Sequence, residues 1–254
     1  MKRFFQVIIA LSLLFGSCTS QKQLLYLQDL DTGTKDNIFF KQSINYKIQT
    51  QDILYIRIYS MNPKANEIFN LTSGRYQQNL FQNETSLFIN GYSVTDSGNV
   101  DLPIIGKVNV LYKTVEEAKY AIQSHADEIL NNSSVVVKLI SFKFSVLGEV
   151  HAPGMYRNYN NQLTVLEAIA MAGDITDYGN RKKILIIRPI KSGTETFRID
   201  LTRSEVLSSE GFFLLPNDIV YVEPISTKTF RINTPTFSLF LSTVTTSYID
   251  FEFY

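Results

Sequence analysis

The sequence predicts an α+β protein of two units, and three observations carry that prediction. Short runs of alternating or β-branched residues recur between Tyr46 and Glu223, with the length and period of strands. Two Thr-x-x-Glu segments, Thr114 to Glu117 and Thr164 to Glu167, each open an apolar-periodic stretch and read as capped helix starts. Phe and Tyr together number 32, with no Trp, a composition suited to pleated, half-buried surfaces.

The chain begins Met1-Lys2-Arg3 and runs almost without polarity from Phe4 to Phe15. A positive start and an apolar run of about a dozen residues, too short to span a bilayer, mark residues 1–17 as a signal peptide. Leu14-Phe15-Gly16-Ser17 then lead into Cys18, the single cysteine, and the segment looks like the lipobox of bacterial lipoproteins. Cleavage before Cys18 and its lipidation are the expectation; an ordinary secretory signal that happens to end near a cysteine is the alternative. No acidic residue follows Cys18, which in such lipoproteins is compatible with transfer to the outer membrane. Residues 18–40 are polar and without sustained period, and read as a tether from the anchor.

The first unit, residues 41–142, opens with Asp52 to Tyr59, where Leu54, Ile56 and Ile58 alternate with Tyr55, Arg57 and Tyr59 as in a half-buried strand. Asn62 to Asn90 is rich in Asn, Gln, Ser and Thr and fits an excursion better than a core element. Tyr92 to Val94 and Val100 to Val108, joined by Asp96-Ser97-Gly98-Asn99, read as a hairpin around a Gly-containing turn. The helix begun at Thr114 carries an apolar stripe of Val115, Ala118, Ile122 and Ile129, and Ser134 to Ile140 closes the unit as a strand.

The second unit, residues 143–224, starts with the strand Phe144 to Val150, the turn His151-Ala152-Pro153-Gly154 and a short strand at Met155-Tyr156. Its helix, Val165 to Ala172, stops at Gly173 in the position that favours a left-handed residue. Strands are expected at Lys183 to Arg188, Thr196 to Leu201 and, after the turn Leu215-Pro216-Asn217-Asp218, at Ile219 to Glu223.

On these residues the chain resembles the polysaccharide biosynthesis/export proteins, the family of the Wza-type outer-membrane translocons. The first unit is similar to their export domain through Tyr46-x-Ile48-x-x-x-Asp52-x-Leu54 and Val94-x-x-x-Gly98-x-Val100-x-Leu102-Pro103-x-x-Gly106. The second resembles a soluble-ligand-binding β-grasp domain through Val146-Leu147-Gly148-Glu149-Val150-x-x-Pro153-Gly154-x-Tyr156, Leu163 to Ile169, Ala172-Gly173 and Leu215-x-x-Asn217-Asp218-x-Val220-Tyr221-Val222. Two departures stand out. Gly173 is followed by Asp174 where the family often has a second glycine, and one β-grasp unit is evident where larger translocons have more.

The resemblance implies a lipid-anchored outer-membrane protein, its bulk periplasmic, whose homo-oligomeric ring exports a capsular or extracellular polysaccharide. It also implies an inner-membrane chain-length regulator or tyrosine kinase as partner. A monomeric periplasmic carbohydrate-binding lipoprotein is the rival reading. Without its signal the chain holds 22 Lys+Arg against 24 Asp+Glu, with no basic stripe of the kind that nucleic acid requires, so nucleic acid is disfavoured.

No cofactor or enzyme is expected. His125 and His151 have no carboxylate or cysteine at ligand spacing, and acids such as Asp96 and Asp101 belong to no hydrolase motif. The nearest thing to a site is the segment holding Gly148, Glu149, Pro153, Gly154 and Tyr156. Its glycines would permit positive φ and close approach of a sugar or a neighbouring subunit, or serve as plain turn residues. In the tail, residues 225–254, Phe237, Phe240, Leu241, Val244, Tyr248 and Phe251 fall on one helical face. About 20 helical residues reach roughly 30 Å, a bilayer's hydrocarbon thickness. An amphipathic membrane helix facing outer-membrane lipid is one reading of this tail; a strand or packing helix is the other, since its β-branched Thr residues lower helix propensity.

Overall fold

The computed structural model describes residues 25–30, 45–61, 69, 90–130, 132–226 and 228. In the first unit, β1 (Ile53–Tyr59) is the centre of a three-stranded antiparallel sheet, between β2 (Tyr92–Ser93) and β5 (Ser134–Leu139). Strands β3 (Asn99–Leu102) and β4 (Gly106–Asn109) form a separate hairpin, followed by helix α1 (Val115–Asp127). Leu54, Ile56 and Ile58 of β1 pack with Val100 and Val108 of the hairpin and with Ala118, Ile122 and Ala126 of α1 in one buried cluster. Burying each large aliphatic side chain contributes about 1.5–3 kcal/mol.

The second unit is a mixed five-stranded sheet in the order β7-β6-β10-β8-β9. Its strands are β6 (Lys143–Gly148), β7 (Gly154–Arg157), β8 (Gly179–Ile190), β9 (Gly193–Ile199) and β10 (Ile219–Pro224). The first and last of these, β6 and β10, lie parallel at its centre, and the other pairings are antiparallel. Helix α2 (Val165–Met171) lays Val165, Ala168 and Ile169 on Phe144, Val146, Ile184, Ile186 and Val220.

Both capping boxes form. The Thr114 hydroxyl accepts from the Glu117 amide at 3.1 Å and the Thr114 amide donates to Glu117 at 2.7 Å; Thr164 and Glu167 repeat the pair at 3.2 and 2.7 Å. The Thr114 amide holds the Glu117 carboxyl below its usual range. Removing one such cap by Thr164→Ala is expected to lower stability by about 1 kcal/mol, read as the midpoint shift in urea denaturation at unchanged slope.

Several elements depart from the sequence reading. The Thr95–Asn99 turn forms, with the Thr95 amide donating to the Asn99 carbonyl at 2.9 Å, but it does not make the expected hairpin. β2 pairs with β1 instead, and the true hairpin turns at Pro103 to Ile105. Ile129 is half exposed beyond the end of α1, and Ala126 completes the buried stripe, because residues 118, 122 and 126 keep the four-residue step. Phe69, within the expected excursion, is buried in the first core. β8 runs well beyond Lys183 to Arg188, on both sides.

The expected tether is docked where it is described. The amides of Leu27 and Gln28 donate to the carbonyls of Leu201 and Thr202 at 3.1 and 2.7 Å. Asp29 accepts from the Ser204 amide at 2.6 Å and from its hydroxyl at 3.0 Å. Tyr26 donates to Asp174 and lies under the Arg181 guanidinium, 5.3 Å from its ring centre. Burial and the Asp174 carboxylate push the Tyr26 phenol up to about 12. Short local polarity hides this contact, because every partner is more than a hundred residues away. Cys18 and the six tail residues Phe237, Phe240, Leu241, Val244, Tyr248 and Phe251 lie outside the described residues. Among the described residues no helix is long and apolar enough to cross a membrane.

Candidate functional site

Of the five residues singled out in the second unit, Gly148, Glu149, Pro153 and Gly154 lie towards the end of β6, whereas Tyr156 pairs with Phe144 near its start. Gly148 ends β6 at φ +89°, and a Cβ there would stand 2.2 Å from the Val222 carbonyl oxygen. The close approach it permits is to its own neighbouring strand. Gly154 is different: its φ is not in the left-handed region, so the expected positive φ does not belong to it, and a Cβ built on it meets open space.

Glu149 pairs with Lys228 and accepts from the Thr176 hydroxyl at 2.9 Å, and the Lys228 ammonium holds its carboxyl low. Tyr156 donates to the Ala152 carbonyl and stacks on Phe144 with ring centres 5.8 Å apart. Pro153 is exposed. The His151 amide donates to the Asp174 carbonyl at 3.1 Å, and His125 Nδ1 lies 2.8 Å from the Ala121 carbonyl oxygen. Among the described residues no three His, Cys, Asp or Glu side chains gather as a metal site would need.

The other end of β6 borders a cleft of about 1070 Å³ between the two units, which the sequence reading did not find. Its first wall is the motif region at the start of β1. There Asp52 accepts from the Gln49 amide and the Tyr46 hydroxyl, each at 2.8 Å, and from the Ser141 hydroxyl at 3.0 Å. These bonds account for the Tyr46-x-Ile48-x-x-x-Asp52 spacing. Burial pushes the Asp52 carboxyl above its usual range despite its donors, and burial followed by the Asp52 charge pushes the Tyr46 phenol up.

The opposite wall is the end of β8 with the 215–217 turn. Buried Arg188 donates from Nε to both Asp218 oxygens at 3.1 and 3.2 Å, and from Nη2 to Asp218 at 2.8 Å and to the Phe213 carbonyl at 2.9 Å. Burial pushes the Asp218 carboxyl up while Arg188 and the Leu215 amide pull it back. The Asn217 amide donates to the Lys143 carbonyl at 2.7 Å, tying the turn to β6.

Three residues of this lining, Gln51, Tyr112 and Asn217, have φ of +68°, +60° and +70°. Asn tolerates this region, but a left-handed Gln or Tyr costs about 1–2 kcal/mol. The lysines at 47, 143 and 191 and the arginines at 157 and 188 line the cleft. They are scattered singly along the sequence, so no charge run marked them.

Two family models match the chain: polysaccharide biosynthesis/export protein over residues 41–140 and SLBB domain over residues 142–222. Among curated proteins it is similar to the EPS I polysaccharide export outer membrane protein EpsA of Ralstonia nicotianae, 27% identical over 139 residues. The protein of that name in Ralstonia solanacearum is 25% identical over 138 residues. Each match covers 53% of this chain and 36% of the relative, so the matched region spans little more than a third of those proteins. With both units matched in this order, the chain belongs to the polysaccharide biosynthesis/export family, which is a family of export proteins and not a class of enzymes.

Proposed function

We propose that this chain takes part in export of an extracellular or capsular polysaccharide across the outer membrane, as a lipid-anchored subunit of an oligomeric channel. Export and the outer membrane come from the names of the relatives. The observation that supports the anchored arrangement is that the first and last described segments, at Tyr26 and Lys228, converge on one end of the second unit. Tyr26 reaches Asp174, while Lys228 reaches Glu149, whose carbonyl accepts from the Thr176 amide. From a lipidated Cys18 to Leu25 the extended chain spans at most about 25 Å, which keeps this end of the second unit near the bilayer.

In this reading residues 1–17 are removed and residues 18–40 form an anchor segment pinned at its middle. Residues 41–142 and 143–224 are the export and β-grasp domains. The tail, residues 225–254, supplies a helix whose Phe237, Phe240, Leu241, Val244, Tyr248 and Phe251 face lipid. A closed homo-oligomeric ring uses two different complementary faces of each subunit and encloses a wet path for the polymer. The inner-membrane partner is a chain-length regulator or tyrosine kinase.

Surface polysaccharide and detergent-extracted oligomer are the measurements. Cells lacking the chain should lose surface polymer, and Cys18→Ala should release the protein from the outer membrane. Val244→Lys should cost about 2–3.5 kcal/mol of insertion per subunit and abolish assembly, whereas Thr246→Lys, turned to the lumen, should spare it. In a strand both positions share a face, so equal effects on assembly would refute the pore helix. Undiminished surface polymer in cells lacking the chain would refute the export role.

A further inference from the structure

We infer that the cleft between the two units is a binding site for an anionic stretch of polysaccharide, one bearing carboxylate sugars. This rests on the export reading for the source of the ligand, and on the cleft for its chemistry. The chain as a whole is neutral, with 24 Lys+Arg and 24 Asp+Glu, yet among the described residues five cationic side chains line this one cleft against a single lining carboxylate, Asp52. Arg188 is already matched by Asp218 beneath it and Arg157 has interactions of its own, so the ligand would meet the three lysines. Among the described residues, no carboxylate forms a salt bridge with Lys47, Lys143 or Lys191.

The remaining lining suits a sugar. Tyr112 is half exposed, and its hydroxyl accepts from the Lys191 ammonium at the edge of the ring. That contact joins the two units and presents an aromatic face beside a cation, which together match the apolar face and the carboxylate of a uronic acid. The amides of Gln51 and Asn217 supply paired donors and acceptors for hydroxyls. Both side chains stand on left-handed backbone, as does Tyr112, a conformation that costs energy at Gln51 and Tyr112 and persists where the surroundings hold it. The volume is slightly above the roughly 300–1,000 Å³ typical of ligand pockets, enough for several sugar rings.

The test uses the full-length chain in mild detergent with oligogalacturonate as probe and a maltooligosaccharide of equal length as neutral control. Oligogalacturonate should bind at least about tenfold more tightly, a difference of 1.4 kcal/mol, and raised salt should erase most of that preference. Lys143→Glu with Lys191→Glu should weaken oligogalacturonate binding by at least about tenfold, and Lys143→Gln with Lys191→Gln by about threefold or more. Lys182→Glu with Lys183→Glu, exposed on β8 and away from the lining, should leave it unchanged. Thermal melting confirms folding, and if the glutamate pair does not fold, the glutamine pair decides.

Equal binding of both oligosaccharides, or binding indifferent to the cleft substitutions, would overturn the inference. A change in sedimentation mass in the cleft variants with no change in oligogalacturonate binding would overturn it too, assigning the cleft to a contact between copies. These outcomes are separate from the export role, which stands or falls on surface polymer in cells lacking the chain.

Discussion

Asp218→Asn is expected to destabilise the second unit by about 3–5 kcal/mol, because it leaves the Arg188 guanidinium buried without its counter-charge. The Arg188 side chain is 8% exposed and that of Asp218 fully buried, and the carboxylate takes three donor contacts from Arg188 as well as the Leu215 amide at 2.8 Å. An amide can replace the shape of the carboxylate but not its charge, and its NH2 would face donors. Against a total stability of about 5–15 kcal/mol for a domain, that is a large fraction. The double replacement Arg188→Leu with Asp218→Leu should recover much of the loss, since an apolar pair removes the desolvation cost of both ions. Urea denaturation of the three proteins measures this; a single-variant cost below about 1 kcal/mol would mean that the pair is hydrated. The same change should loosen the cleft wall, because the Asp218 carboxylate holds the 215–217 turn.

What the sequence disclosed follows how local each cause is. Both helix starts were readable because a capping box is complete within four residues, and Gly173 marked the end of α2 because its φ of +76° is a local demand. The family motifs likewise sit within single turns and strands. Partner choice was not readable. Val94 and its neighbours could equally face Val100 across a turn or Leu54 across the sheet, and only the assembled core selects β1, placing Ile53 opposite Ser93. The docking of residues 25–30 depends on Leu201 to Ser204, and the cleft joins Lys47 to Lys143 and Lys191. Neither leaves a pattern in any window of the chain. Positive φ at Gln51 and Tyr112 was equally hidden, since both residues ordinarily avoid it.

Gly148→Val should be the most damaging single change in the β6–β10 region, and comparison with Gly154→Ala separates packing from contact. At Gly148 two costs coincide. Left-handed backbone costs a branched residue about 1–2 kcal/mol, and the new Cβ would overlap the Val222 carbonyl oxygen at 2.2 Å and touch the Tyr221 ring at 3.0 Å. Relief requires β6 and β10 to part where the Glu149 amide donates to that same oxygen at 3.1 Å, adding roughly 1–3 kcal/mol for an unpaired buried group. The sum, about 3 kcal/mol or more, should appear as a lowered melting temperature and protease sensitivity in the second unit. Gly154→Ala meets open space at ordinary φ and should change stability by no more than about 0.5 kcal/mol, or raise it slightly by restricting the unfolded chain. That tolerance makes it a probe of function. Lost export with Gly154→Ala in a stably folded protein would identify the exposed Pro153–Met155 turn as a surface touched by polymer or by a neighbouring subunit. Undiminished export would leave it a plain turn, and the close approach at Gly148 would belong wholly to the protein's own sheet.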